Sequence, residues 1–160
     1  MAQHQLDIPY EILEEAAMLP SDEQDLLEKA LEATQFSYSP HSNFQVGCAL
    51  LLENGEVIIG ANQENAAFPS GLCAERTALY AASTAGKATQ VIKMAIRARS
   101  DEFSVNQPPT SCGGCRQVMV EFEKRSPHKV VVLMQGETGH VLRLHGIQAT
   151  LMPFSFDLLE

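Results

Sequence analysis

The chain has 160 residues, 45% hydrophobic and 19% charged, which is enough apolar material for a single globular domain. Its net charge of −9 argues against a surface that tracks nucleic-acid phosphates, so no polynucleotide partner is expected. No apolar run approaches the roughly 20 residues that span a bilayer, and no basic segment with an apolar signal core opens the chain, so no membrane partner is expected either.

Residues 1–20 carry Ile8, Ile12, Leu13 and Ala16 at helical spacing, with Pro9 acceptable in a first turn. A helical N-terminal extension is expected there, packing on the domain or on a neighbour, with the domain proper over 21–160. Ser21 and Gln24 read as a capping box, and Leu26, Leu27, Ala30 and Leu31 give a buried helical stripe that ends near Phe36. Strands are predicted over 44–52 and 56–61 around Asn54-Gly55, a pair favoured in tight hairpin turns. Cys73 opens a run of helix formers, from Ala74 to Ala82, that Gly86 stops. A strand over 91–97 follows. Cys115, Val118, Met119 and Phe122 then recur at helical spacing up to Pro127. Further strands are predicted over 129–134 and, after the turn at Gly136 and Gly139, over 141–144. A helix between two apolar strands implies a crossover and some parallel pairing. The sum is an α/β fold: three layers, α/β/α, with a mixed, mostly five-stranded sheet flanked by helices.

The chemistry concentrates in Cys73-Ala74-Glu75 and Cys112-Gly113-Gly114-Cys115. Three thiolates for one zinc leave a tetrahedral position open, as catalytic rather than structural sites do, and Glu75 stands beside the metal to carry protons. Both motifs sit at predicted helix N-termini, whose unpaired N–H groups and positive dipole ends favour thiolate over thiol. Three thiolates on one dication leave one excess negative charge, and Arg76 is placed to relieve it by donating to a cysteine sulfur. With three cysteines assigned to one zinc per chain, only Cys48 remains. That suits a reducing, cytoplasmic location and a small core residue between Gly47 and Ala49.

The runs Phe44-Gln45-Val46-Gly47, Asn62-Gln63-Glu64-Asn65-Ala66, Cys73-Ala74-Glu75-Arg76-Thr77-Ala78 and Cys112-Gly113-Gly114-Cys115-Arg116-Gln117-Val118-Met119 resemble, in order and spacing, the motifs of the small three-cysteine cytidine deaminases. The resemblance extends over residues 21–156. It implies hydrolytic deamination of cytidine, with 2′-deoxycytidine also accepted, in pyrimidine salvage. Cys73, Cys112 and Cys115 would bind zinc, and Glu75 would move protons between water, ring N3 and the departing amino group, as in zinc deaminases generally. The Ala74 N–H would hold the base carbonyl at O2, Asn62 and Glu64 the ribose hydroxyl opposite the base, and Phe44 would pack on the nucleoside. Phe156 resembles a tail aromatic that reaches a neighbouring subunit's base, which implies a homo-oligomer, expected as a homotetramer.

Three departures bear on substrate. His41 and Phe68 stand where relatives usually carry Tyr, and Thr110 and Ser111 separate Pro109 from Cys112 where Pro often precedes the cysteine directly. A deaminase of the same chemistry acting on a modified nucleoside or a cytosine-containing antibiotic therefore stays open. From other classes, a closed structural zinc module would recruit Cys48 as a fourth ligand, and a redox pair would need only Cys112 and Cys115.

Overall fold

A computed structural model describes residues 1–157. Six strands form one mixed sheet in the order β1-β6-β5-β4-β2-β3, one strand more than expected. They are β1 (Glu11–Leu13), β2 (Gln45–Leu52), β3 (Val57–Ala61), β4 (Val91–Arg99), β5 (Val131–Gln135) and β6 (Val141–His145). The helices are α1 (Ser21–Ala33), α2 (Ala74–Thr84), α3 (Gly113–Arg125) and the short α4 (Ile147–Thr150), which the periodicity did not predict. Strands β4 and β5 run parallel across the α3 crossover and the remaining pairs are antiparallel. Gly55, at φ 83°, closes the β2–β3 hairpin at the predicted Asn54-Gly55 turn.

Side-chain alternation on β2 divides the core. Cys48, Leu50 and Leu52 face α2 and α3 together with Leu79, Met94, Ile96 and Met119, whereas Ala49 faces α1 with Leu26, Leu27, Ala30, Ala95 and Leu133. Two glycines set how closely helices approach the sheet. A Cβ on Gly47 would meet the Ala30 carbonyl at 2.0 Å, and one on Gly60 would meet the Ala78 nitrogen at 2.4 Å. At Gly60 the strand therefore lies directly against the first turns of α2, the helix that begins after Cys73.

The first twenty residues correct the helical expectation. Glu11 to Leu13 pair antiparallel with β6 as an edge strand, and helix is confined to a single 3-10 turn over Ala16–Met18. Ile8, Ile12 and Leu13 fit both periods, and the open edge of β6 decides between them by offering the backbone hydrogen-bond partners. A charge cluster supports this edge: Arg143 on β6 reaches Glu11 at 3.0 Å and buried Glu23 at 2.9 and 3.0 Å, and Lys93 on β4 donates to Glu23 at 2.9 Å and Asp22 at 2.7 Å. The capping box does not form. Ser21 is the first residue of α1, with Pro20 as its N-cap, and Gln24 reaches back to the Leu19 carbonyl at 2.7 Å.

Candidate metal centre and active site

Cys73 and Cys112 are the N-cap residues of α2 and α3. Each gives its carbonyl to the first turn of its helix, from Thr77 N at 3.1 Å and Arg116 N at 2.9 Å, so both helices start at a cysteine as the sequence predicts. Cys115 lies one turn into α3. The three Sγ atoms all lie within 4.8 Å of one another, close to the separation of thiolates that share one zinc at about 2.3 Å each. A soft, all-sulfur donor set at two helix N-termini fits zinc. Cys48, fully buried in the core on β2, is outside the group of three clustered sulfurs among the described residues.

The charge pattern favours thiolate at Cys73. Cys73 is drawn down to about 5, first by its hydrogen bond with Cys115 and then by the Arg76 guanidinium, while burial opposes the change. Cys115 moves the other way, because it keeps the proton of that hydrogen bond and is itself desolvated. Arg76 donates through Nη2 to Cys73 Sγ and to the Gly71 carbonyl, both at 3.5 Å. We expect Arg76→Gln to weaken zinc binding by about 10- to 100-fold, measured by competition with a chromogenic chelator. Unchanged zinc affinity would remove that role from Arg76.

Glu75, on the first turn of α2, is 5% exposed. Burial pushes its carboxyl up and the neighbouring Cys73 charge adds to this, while Ser111 opposes it. A carboxyl buried beside the metal cluster is placed to take up and return a proton at that spot.

These groups line one end of a cavity of about 490 Å³ whose wall also includes Phe44, Val46, Asn62, Glu64, Phe68, Leu72 and Ala74. The loop from β3 to α2 is fastened by paired backbone bonds between Gln63 and Leu72, 2.8 and 2.9 Å, and by Glu64 N to the Tyr38 carbonyl at 2.7 Å. Asn62 spends most of its amide on the protein. Its Oδ1 accepts from Ser37 Oγ and from Val46 N at 2.8 Å, and Nδ2 donates to the Phe44 carbonyl at 2.9 Å, leaving one N–H of the amide over. Glu64 accepts from His41 N at 2.8 Å, Ser42 N at 3.3 Å and Ser42 Oγ, and the Ser42 bond first of all holds its carboxyl below the ordinary value. At the mouth, His41 and Phe68 meet edge to face at 5.7 Å, and Phe44 stacks on Phe103 at 6.1 Å.

Of the predicted residues, the structure brings Cys73, Cys112, Cys115, Glu75, Arg76, Ala74, Phe44, Asn62 and Glu64 to one cluster and cavity. Phe156 lies elsewhere, 67% exposed, its backbone moored to α3 by both ends of the Gln117 amide at 2.9 and 3.0 Å. The sequence also missed Arg116. It bridges the Ser111 carbonyl at 2.7 Å and the Leu151 carbonyl at 3.2 Å, and so fixes the turn into α3. Its signal was position, directly after the ligand Cys115 in the first turn of a helix.

Residues 20–134 match the family model described as the cytidine and deoxycytidylate deaminase zinc-binding region. A cytidine deaminase of Halalkalibacterium halodurans is 45% identical over 101 residues, 63% of this chain and 72% of that protein. A cytidine deaminase of Sporosarcina psychrophila is 37% identical over 101 residues, 63% of this chain and 70% of its own length. The crystal structure of cytidine deaminase from Burkholderia pseudomallei superposes with a TM-score of 0.72 at 36% identity, covering 82% of this chain and 97% of that one. With more than half its length matched and the three thiols gathered, the chain belongs to the family of the cytidine and deoxycytidylate deaminase zinc-binding region.

Proposed function

We propose that this protein is a zinc-dependent hydrolase that deaminates cytidine to uridine and ammonia. The observation that carries the reading is the trio of thiols at two helix starts beside one buried carboxyl on a nucleoside-sized cavity. Cys73, Cys112 and Cys115 hold the metal. Bound there, zinc supplies a Lewis acid that makes water nucleophilic near neutral pH.

The chain's own residues do the rest. Glu75 takes a proton from the attacking water and delivers it to ring N3, then takes the proton of the new C4 hydroxyl and delivers it to the amino group, so that ammonia departs and a carbonyl remains at C4. Its burial keeps bulk water from competing for those protons. The Ala74 N–H, at the start of α2, donates to the base carbonyl at O2. Glu64, ionised and held by the His41-Ser42 turn, accepts a ribose hydroxyl, and the spare Asn62 N–H donates to the same group. Phe44 supplies an apolar face to the nucleoside. These contacts leave the 2′ position unread, so 2′-deoxycytidine is a substrate as well, in pyrimidine salvage in the cytoplasm.

The assembly is a homotetramer in which Phe156 completes a neighbour's pocket. Phe154 and Phe156, 88% and 67% exposed on the tail moored to α3, favour burial against another copy.

The test is loss of ultraviolet absorbance with ammonia and zinc counted in the same samples. We expect stoichiometric uridine and ammonia with about one zinc per chain. A kcat/KM for deoxycytidine three or more orders of magnitude below that for cytidine would defeat the deoxynucleoside assignment.

A further inference from the structure

The ladder between β2 and β4 ends at the pair Gln45 and Arg99, and beyond it side chains hold the two segments together. On the β2 side the turn before the strand is tight. Asn43 N donates to the Ser39 carbonyl at 3.0 Å and Phe44 N to Ser42 Oγ at 3.1 Å, while Asn43 sits at φ 52°, in the left-handed region that asparagine tolerates better than most residues. This turn carries both Phe44 and the His41-Ser42 hold on Glu64, so where it sits decides where one wall of the cavity sits.

On the β4 side, residues 100–112 lead to α3. Glu102 accepts from Asn43 Nδ2 at 2.7 Å, and at the next position the Phe103 ring stacks on Phe44, with centroids 6.1 Å and planes 9° apart. The loop is tied down on either side of these contacts. Glu102 N donates to Ser100 Oγ at 3.1 Å, and two residues after Phe103 the Val105 carbonyl accepts from Glu137 N at 2.7 Å. The turn at Glu137 is held in its place by buried Arg97, which donates to the Gly136 and Glu137 carbonyls at 2.8 and 2.9 Å. Gly136 permits the close approach, because a Cβ there would meet the Val105 carbonyl at 2.3 Å. Phe103 itself is 48% exposed, so its ring adds little to the core. What it covers is Phe44.

Resting on the deaminase reading above, we propose that Phe103 is a positioning residue for the substrate: it holds the Phe44 ring in the orientation that meets the nucleoside, with the Glu102–Asn43 bond keeping the two segments in step. A phenylalanine ring turns about a broad terminal torsion, and a stacked neighbour restricts it. Phe44 packs on the nucleoside away from the reacting atoms, so what Phe103 contributes is the same before and during reaction and falls on KM rather than kcat.

The experiment compares steady-state kinetics on cytidine for zinc-loaded wild type, Phe103→Ala, Phe103→Tyr, Phe44→Ala and the double variant Phe44→Ala with Phe103→Ala. We expect Phe103→Ala to raise KM about 3- to 10-fold, the worth of one aromatic pair, with kcat and zinc content unchanged. Phe103→Tyr, which keeps the ring, should return KM to the wild-type value. In the Phe44→Ala background, Phe103→Ala should raise KM no further, since the residue acts through that ring. An unchanged KM in Phe103→Ala, a loss in kcat instead, a Phe103→Tyr variant as poor as Phe103→Ala, or the same rise in KM with Phe44 already gone overturns the proposal. Calorimetric binding of uridine separates this contact from the reaction. Wild type that fails to deaminate cytidine sinks the reaction assigned above. Weaker uridine binding by Phe103→Ala than by wild type would even then support the role of Phe103, and equal binding, or none by either protein, would overturn it.

Discussion

Replacing Glu75 with Gln is expected to leave zinc at one per chain and to lower kcat on cytidine by about 10²–10⁴-fold, the usual contribution of a positioned proton carrier. The substitution is nearly isosteric and alters no thiol, so the metal has no reason to leave. What disappears is a side chain able to take a proton and give it back. The buried position of Glu75 makes the loss hard to repair, because a carboxyl 5% exposed on a cavity wall has no bulk water waiting to replace it. Metal analysis and steady-state kinetics on the same preparation check the prediction. Activity within tenfold of wild type would take the proton-carrying role away from Glu75, and loss of zinc would recast it as a group that supports the metal.

The second large effect belongs to the fold. Glu23 is 1% exposed, between Arg143 and Lys93. Burial pushes its carboxyl up, but hydrogen bonds from Arg143 and Lys93 more than reverse this, and its pKa lies below the ordinary 4.5. A carboxyl depressed in the folded state contributes stability that is present above the unfolded pKa and is lost as pH falls through the folded one. Glu23→Gln leaves two part-buried cations short of a partner and should cost about 3 kcal/mol at pH 7, or a Tm about 10 °C lower. The gap between variant and wild type should begin to narrow below pH 4.5 and close as pH falls through the depressed folded-state value, where the wild-type carboxyl itself becomes neutral. Thermal melts at pH 7 and pH 3.5 test both parts. A gap under about 1 kcal/mol at pH 7, or one independent of pH, would show that Glu23 is not the keystone of this cluster.

The zinc half of the site was legible because ligand spacing and helix starts are local properties: Cys73 and Cys112 each precede an uninterrupted helical run, and the N-cap position follows from that. The sheet was legible for the same reason, since β2 to β6 alternate or run apolar between clear turn residues. What was misread depends on tertiary partners. Ile8, Ile12 and Leu13 satisfy two periods, and only the free edge of β6 selects strand. Ser21 and Gln24 have the right spacing for a capping box, yet Pro20 takes the cap and Gln24 finds the Leu19 carbonyl. Asn62 shows why a matched motif does not by itself tell what an amide does: one side chain ties Ser37 to Phe44 and Val46 at the start of β2, two stretches of chain distant from its own. Ser111 and Arg116 became informative only once burial and reach were known.

The contact at Gly60 makes the hairpin and the catalytic helix a single lever. At Gly60 no side chain separates β3 from the backbone of α2, so a shift of the β2–β3 hairpin at that point bears directly on the helix headed by Cys73 and Glu75. A Cβ at Gly55 would meet nothing within 4 Å, whereas one at Gly60, a few residues further along, would push on the backbone of the helix that carries Glu75.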